Sequence, residues 1–328
     1  MSRREEYWVS PSMLKQMIAK FRIAILGLGA VGGYYGGKLA AHYSDSKEIE
    51  IIFIARGENE KTIKSNGLKL ITSQGEQIIH PAVITSQPGP LGIIDLLLVC
   101  VKSYDLEMSF EPLKPCINDQ TIILPLLNGV DASERIKKIF PGTEVWEGCV
   151  YIVSRLVGPG VVKESGSINQ LYFGSEQGTK EKLERVHAIF RSAGLNAHLA
   201  TNISQTLWEK FLFISPLATL TSHLDLSIGA IVSNNQHQES LLNLIRELKS
   251  IAEAKNISLA ENIVQKTLEK MRSLPPETTS SMHSDFKRGS KTEVDSLTAY
   301  VIKLGKELNI PTPYYEQMLA GLKEKLVQ

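Results

Sequence analysis

A glycine-rich turn between an apolar run and a helical pattern constrains this chain more than any other feature of its sequence. The run Arg22–Leu26 is short and apolar and stops at glycine, as a parallel strand buried on both faces does. A helical pattern then covers Val31–His42, and Glu50–Ala55 is a second apolar run. The turn therefore lies inside a β-α-β unit of roughly 30 residues, the context in which a G-x-G-x-x-G spacing carries meaning.

This turn predicts a dinucleotide-binding site. Its residues are Gly27, Leu28, Gly29, Ala30, Val31 and Gly32. Gly27 permits the tight turn, Gly29 lets the backbone approach a pyrophosphate, and Gly32 lets the helix pack close to the strand. The helix N-terminus then directs unpaired N–H groups and its positive dipole end at the phosphates. The alternative, a glycine-rich turn without a ligand, is disfavoured by the strand before it and the helix after it.

The residue that follows the second strand bears on which dinucleotide binds. An NAD site usually has Asp or Glu there, which accepts hydrogen bonds from the ribose hydroxyls. Here Arg56 follows Ala55, and a planar guanidinium suits the 2′-phosphate of NADPH. The sequence therefore favours NADPH, with a solvated loop arginine as the alternative reading of Arg56.

Further apolar runs continue the alternation of strands and helices. Ile93–Val101 is the most apolar run of the chain, and it and Thr121–Leu127 are predicted to be central strands. Leu68–Ile84 has the pattern of a hairpin insertion. The segments Val145–Val153 and Val161–Val162 flank a Gly-Pro-Gly turn and are expected to close the sheet. The alternation predicts an α/β fold with an N-terminal doubly wound, Rossmann-type sheet.

Strand signals stop after about Thr201, and the rest of the chain has the helical spacing of apolar residues. The segments with this spacing are Gln205–Leu226, Ser240–Ala254, Leu259–Ser273 and Thr292–Leu308. We therefore expect a dinucleotide-binding domain over residues 21–200 and an all-α substrate domain over 201–328, preceded by an N-terminal extension over 1–20. Helical second domains often dimerise, so a homodimer stays open beside a monomer.

Composition narrows the class of partner. A net charge of +1 over 328 residues gives no basic excess to neutralise the phosphates of a nucleic acid. No run approaches the ~18 consecutive apolar residues of a membrane span. Cys100, Cys116 and Cys149 form no CxxC pair and are expected to be free thiols in a reducing cytoplasm. The histidines show no metal-ligand spacing. We expect small-molecule partners, without metal, nucleic acid or membrane.

Six motifs in order carry a resemblance to a known family. They are the glycine turn, Val101-Lys102-Ser103, Asn128-Gly129, Leu207-Trp208-Glu209-Lys210, Ser280-Ser281-Met282 and Lys291-Thr292-Glu293-Val294-Asp295. On these motifs the chain from Phe21 to its C-terminus resembles the ketopantoate reductase (2-dehydropantoate 2-reductase) family. The resemblance implies NADPH-dependent reduction of a small 2-keto acid in a cleft between the two domains. The reaction it implies most directly is 2-dehydropantoate to pantoate, in pantothenate biosynthesis.

Reduction of a 2-keto acid requires a hydride, a proton for the carbonyl oxygen and a group that holds the carboxylate. Lys210 matches the family's general acid, and the resemblance also implies that it contacts substrate. From the residues alone, Lys210 is either a desolvated functional lysine or one that reaches out to water. Glu293 matches an acidic residue that partners this lysine and holds the nicotinamide ribose. Its alternative is a glutamate in the first turn of a helix, where acids are favoured.

The resemblance implies further contacts to cofactor and substrate. Lys102 and Asn128 follow two central strands, where ligands of open α/β sheets bind. Both are expected to bind cofactor, and Asn128 also substrate. Ser154 matches a further cofactor contact, and Ser281, with Ser284 beside it, matches a substrate-binding serine. The alternatives are an exposed loop lysine, a plain Asn-Gly turn and a serine-rich loop.

Three positions depart from the family pattern. Ile214, Ala218 and Ile228 stand where the family has asparagines that hydrogen-bond the substrate. An apolar side chain gives up the discrimination that such a hydrogen bond provides. The adjacent polar residues that could compensate are Ser215, Thr219 and Ser227. Two other functions therefore stay open: reduction of a different 2-keto or opine-type substrate, and NADPH sensing without turnover.

Overall fold

The structure of the chain is a computed structural model that describes residues 20–327. The N-terminal extension expected over residues 1–20 lies outside the described residues, apart from Lys20. In chain order, the elements up to residue 199 are β1 (Phe21–Leu26), α1 (Ala30–His42), β2 (Ile49–Ile54), α2 (Gly57–Asn66), β3 (Leu68–Thr72), β4 (Gly75–Ile79), β5 (Val83–Thr85), β6 (Leu96–Val99), α3 (Leu106–Phe110), β7 (Ile122–Pro125), α4 (Ala132–Ile139), β8 (Glu144–Val145), β9 (Glu147–Gly158), β10 (Val161–Gly174), α5 (Lys180–Ser192) and β11 (Ala197–Leu199).

A parallel sheet confirms the predicted α/β fold. Its strand order is β5-β2-β1-β6-β7-β8, and every pairing in it is parallel. The strands β6 and β7 are buried throughout, which explains why they read as continuous apolar runs. The chain moves from β1 to β2 on one side and later returns to β6 on the other. This change of direction at β1 is the topological switch point beside which open α/β sheets bind ligands.

The expectation that the segments around the Gly-Pro-Gly turn close this sheet is wrong. They form the antiparallel pair β9–β10, which belongs to a second sheet with β3, β4 and β11. Helix α1 packs against both sheets. A Cβ on Gly33 would lie 2.5 Å from the Val162 side chain of β10, and one on Gly36 would lie 3.0 Å from Ile25 of β1. Glycines on α1 thus let the second sheet approach the helix closely, and the first sheet ends at the two-residue strand β8 instead.

The chain beyond residue 202 is helical, as predicted. Its helices are α6 (Ile203–Leu224), α7 (Ile228–Ser233), α8 (Asn235–Ala254), α9 (Ile263–Arg272), α10 (Ser281–Lys287), α11 (Tyr300–Leu308) and α12 (Pro313–Val327), with a π-helical turn at Asp295–Ala299 before α11. They enclose a hydrophobic core of their own around Phe211, Leu244 and Met271. The predicted division at residues 200 and 201 falls in the connection between β11 and α6. Within residues 20–327, none of the helices combines the length and the apolar character that crossing a lipid bilayer requires.

Candidate active site

The backbone of the glycine turn is tight at Gly27, open at Gly29 and closely packed at Gly32. Gly27 has φ +91°, a region that favours glycine. A Cβ on Gly32 would lie 1.9 Å from the carbonyl oxygen of Gly27, so any side chain there would force the turn apart. A Cβ on Gly29, by contrast, would meet no atom within 4 Å. Gly29 lies directly before α1, so this open backbone at a helix N-terminus fits a bound pyrophosphate.

Asn59 of α2 holds this turn in place, and the sequence did not single it out. Its Nδ2 donates to the carbonyl oxygen of Leu28 at 2.7 Å, and its Oδ1 accepts from the N–H of Gly160 at 2.6 Å. One amide thereby joins the turn to the β9–β10 loop. No motif could reveal this role, because the two bonded residues lie 31 and 101 positions away from Asn59.

Arg56 lies where the second strand ends, as the NADPH prediction requires. Its side chain is 66% exposed and donates to Asp105 Oδ2 at 2.8 Å. An exposed pair of this kind contributes about 1 kcal/mol at most, so a phosphate can compete with Asp105 for the guanidinium. The arrangement is therefore compatible with binding of a 2′-phosphate.

Lys102, after β6, lies between two buried acids of the helical part. Its Nζ is 3.0 Å from Glu293 Oε2 and 3.1 Å from Asp285 Oδ2. Burial opposes the charge of Lys102, but Glu293 and Asp285 outweigh it and raise the pKa of the ammonium. Glu293 is 3% exposed, and its other carboxylate oxygen accepts from the N–H of Ser103. Asp285 was missed by the sequence analysis, because only its i+4 spacing from Ser281 could have indicated that it faces the same side of α10.

Lys210 lies on α6 and is almost fully buried, with 7% of its surface exposed. Its Nζ donates to Asn128 Oδ1 at 2.9 Å, which brings together the predicted general acid and the residue that follows β7. Burial lowers the pKa of Lys210. Glu293, expected as the partner of Lys210 near the cofactor, acts on Lys210 only through its charge at longer range and forms its ion pair with Lys102. Sequence spacing cannot decide which of two lysines a distant acid meets, and here Lys102 and the N–H of Ser103 occupy both oxygens of Glu293.

The three predicted serines form no hydrogen bond with Lys102, Glu293 or Lys210 among the described residues. Ser154 lies half-buried in β9, opposite Glu164 of β10. Ser281 is exposed at the first position of α10, and Ser284 donates to the carbonyl oxygen of Ser280 one turn earlier. Ser281 thus lies one turn before Asp285 on α10, and Asp285 contacts Lys102.

Two of the three polar residues beside the departures, Ser215 and Thr219, form hydrogen bonds with other parts of the helical core. Ser215 Oγ donates to the carbonyl oxygen of Leu297 at 2.6 Å and lies 2.7 Å from Tyr315 Oη. Thr219 shares a hydrogen bond with Thr298. These hydroxyls are buried between helices, so they do not replace the missing asparagines. The departures themselves are the half-buried Ile214 and the buried Ala218 and Ile228.

The chain is similar to known proteins over most of its length. Two family models match: ketopantoate reductase PanE/ApbA over residues 23–178, and ketopantoate reductase PanE/ApbA C terminal over residues 202–326. The chain is 30% identical to a 2-dehydropantoate 2-reductase of Pyrococcus horikoshii, a match that covers 93% of this chain and 97% of that protein. It is 27% identical to YkpB, an uncharacterized oxidoreductase of Bacillus subtilis, over 92% of this chain and 98% of that protein. The crystal structure of a 2-dehydropantoate 2-reductase from Porphyromonas gingivalis is 32% identical, with a TM-score of 0.80 over 94% of this chain and all of that one.

Proposed function

Because the chain belongs to the ketopantoate reductase family, we propose that it reduces 2-dehydropantoate, or a closely related 2-keto acid, to the 2-hydroxy acid. Membership makes it an NADP-dependent oxidoreductase that acts on a CH–OH group. NADPH is its cofactor, and the glycine turn and Arg56 are its proposed binding residues. Reduction of 2-dehydropantoate to pantoate would place the enzyme in pantothenate biosynthesis.

The observation that carries the proposal is the environment of Lys210. Its buried ammonium has a single hydrogen bond, to the neutral amide of Asn128, among residues 20–327. Burial lowers its pKa, which makes the ammonium a better proton donor near neutral pH. Lys210 therefore has the properties of a general acid and lies beside the carboxyl edge of the parallel sheet, where the cofactor is proposed to bind.

The proposed mechanism assigns one task to each group. NADPH, which the glycine turn and Arg56 would hold, would supply the hydride. Lys210 donates a proton from Nζ to the carbonyl oxygen as negative charge develops there, and its neutral amine is reprotonated from solvent after product release. Asn128 orients Lys210 through its amide oxygen. Lys102 and Glu293 position the nicotinamide ribose, and Ser154 and Ser281 are proposed as further contacts to cofactor and substrate, with Ser284 beside Ser281.

The direct test is spectrophotometric NADPH oxidation with 2-dehydropantoate and a panel of 2-keto acids, with NADH in parallel. Lys210→Ala is expected to abolish turnover, because it removes the proposed proton donor, while the Kd for NADPH stays within about threefold. Lys266→Ala, an exposed lysine on α9, is the matched control and should keep wild-type rates. Wild-type activity in Lys210→Ala would contradict the assignment. Tight NADPH binding without turnover of any keto acid by the unmutated enzyme would favour the alternative of a cofactor-sensing protein.

A different keto acid is the second candidate, and the apolar departures favour it. With Ile214, Ala218 and Ile228 in place of asparagines, the chain lacks the neutral hydrogen-bond partners that the family offers to a substrate hydroxyl. A 2-keto acid with an apolar side chain would then reach a kcat/KM equal to or above that for 2-dehydropantoate. The same panel decides between the two substrates, since a strong preference for 2-dehydropantoate would exclude the second.

A further inference from the structure

A second lysine, Lys270, lies near an aromatic ring that Lys210 also approaches. Lys270 of α9 places its Nζ 4.3 Å from the ring centroid of Tyr151 and 4.9 Å from that of Phe213. Tyr151 belongs to β9 of the second sheet and Phe213 to α6, so the ammonium lies where the sheet and helical parts meet. Cation–π contacts of this kind fix the position of the charge without neutralising it.

The same aromatic ring also faces Lys210. The Nζ of Lys210 is 5.9 Å from the ring centroid of Tyr151, so two ammonium groups flank one tyrosine. Lys210 is buried, whereas Lys270 has an exposed side chain whose ammonium packs against the rings, and burial lowers the pKa of both lysines. Two positive charges near one another favour an anion that contacts both ammonium groups.

The described residues supply no such anion at close range. Among residues 20–327, neither lysine has an ion pair with a carboxylate. Glu209 raises the pKa of Lys270 only through its charge at longer range, and its carboxylate accepts a hydrogen bond from Gln205 at 2.9 Å. The Cys149 thiol near both lysines is buried, and burial raises its pKa, so it does not provide a thiolate at neutral pH.

We propose that Lys270 binds the carboxylate of the 2-keto acid while Lys210 acts on the adjacent carbonyl oxygen. A 2-keto acid carries these two groups on neighbouring carbons, so one small molecule can contact two separate ammonium groups. This inference rests on the proposed function and assigns a specificity-determining residue to it. It also supplies a charged contact that does not depend on the neutral hydrogen-bond partners missing at Ile214, Ala218 and Ile228. The enzyme thereby selects for a carboxylate and tolerates variation in the substrate side chain.

The test compares Lys270→Met with Lys266→Met, both on α9 and one turn apart. Methionine keeps the length and packing of the side chain against the rings but removes the charge. Lys270→Met is expected to raise the KM for the best keto acid of the panel by about 10- to 100-fold, the equivalent of one charge-assisted contact. Its kcat is expected to stay within about threefold, and NADPH binding and the midpoint of thermal unfolding to match those of Lys266→Met. Lys270→Arg, which keeps the charge, should recover most of the affinity.

A substrate analogue separates charge recognition from packing. The methyl ester of the same keto acid lacks the carboxylate charge, so the wild-type preference for acid over ester should fall in Lys270→Met by the same factor as the KM rises. Binding of oxalate to the NADPH complex, measured by calorimetry, should weaken in parallel and gives a readout that does not need turnover.

The outcomes distinguish the two levels of the proposal. If the unmutated enzyme reduces keto acids but Lys270→Met has a wild-type KM and acid-to-ester preference, Lys270 only packs against the rings and the inference is overturned. A loss of stability shared by Lys270→Met and Lys270→Arg, with unchanged preference, would overturn it too. If the unmutated enzyme reduces no keto acid, the proposed function fails and the inference falls with it.

Discussion

The two sides of the candidate site are built in different ways. On the sheet side, the cofactor turn is a continuous stretch of backbone, and its geometry depends on the absence of side chains at Gly27 and Gly32. On the helical side, Lys210, Asn128 and Tyr151 are brought together from α6, the end of β7 and β9. The first side can be identified from local spacing. The second depends on the fold. Substitutions on the two sides should therefore have different effects on stability, cofactor binding and catalysis.

The largest effects on stability and NADPH binding are expected from alanine substitutions at two glycines of the same turn. Gly32→Ala places a Cβ 1.9 Å from a backbone oxygen, so the turn must open and α1 must shift. We expect a loss of about 1–3 kcal/mol in the free energy of unfolding, and NADPH binding too weak to measure. Gly29→Ala, with open space around its Cβ, is the matched control. It should unfold like the wild type and still bind NADPH at least about tenfold more weakly, because the methyl occupies the space proposed for the pyrophosphate.

Denaturant unfolding and fluorescence titration with NADPH measure these two quantities separately. Equal stability of the two variants would show that the turn tolerates a Cβ at Gly32. Wild-type NADPH affinity in Gly29→Ala would place the pyrophosphate elsewhere and remove the main support for the cofactor site.

These two glycines also show why the sheet side could be predicted from sequence. A turn between a buried strand and a helix permits few residues at its tight points, so the residue types themselves report the geometry. The same holds for β6 and β7, whose burial on both faces leaves a continuous apolar run. The second sheet was not predicted, because β10 pairs with β3 across some 90 residues and local patterns carry no record of that partner.

On the helical side, the sequence identified candidate residues but could not predict which of them contact one another. The family resemblance identified Lys210 and Glu293, but the ion pair of Glu293 is with Lys102. Asp285, Asn59 and Lys270 were missed because each has an ordinary local context. Their importance arises from groups that α-helices and strands bring close only in the folded chain, and no spacing rule encodes such distances.

The next largest effect is expected in the pH dependence of Lys210 and Lys102, because their pKa values shift in opposite directions. Burial lowers the pKa of Lys210, whereas Glu293 and Asp285 raise that of Lys102. Since Lys210 must be protonated to act as an acid, kcat should fall as the pH rises through its lowered pKa, below the ordinary lysine range. In the same interval the unfolded chain binds more protons than the folded one at Lys210, so this residue's contribution to stability increases with pH.

Lys102 should behave in the opposite sense. Its raised pKa means that its contribution to stability is complete below the ordinary lysine pKa and is lost only as the pH rises through the folded value. Pre-steady-state rates of the wild type, together with unfolding free energies of the wild type, Lys210→Met and Lys102→Met, all measured from neutral to alkaline pH, test both statements. A rate that is flat up to the ordinary lysine pKa would contradict proton donation by a desolvated Lys210.

The smallest effect is expected at Asn59. Its side chain holds the glycine turn, whose geometry otherwise depends on the backbone alone. Asn59→Ala removes one hydrogen bond to Leu28 and one from Gly160, both part-buried, so it should lower the free energy of unfolding by only about 1 kcal/mol. The NADPH affinity should fall only a few-fold, because the glycines still define the turn. Ser65→Ala, an exposed position on α2 whose hydroxyl bonds only within its own helix, is the control. If Asn59→Ala weakens NADPH binding as strongly as Gly29→Ala does, the turn is not self-supporting, and the two sides of the site both depend on contacts between residues distant in sequence.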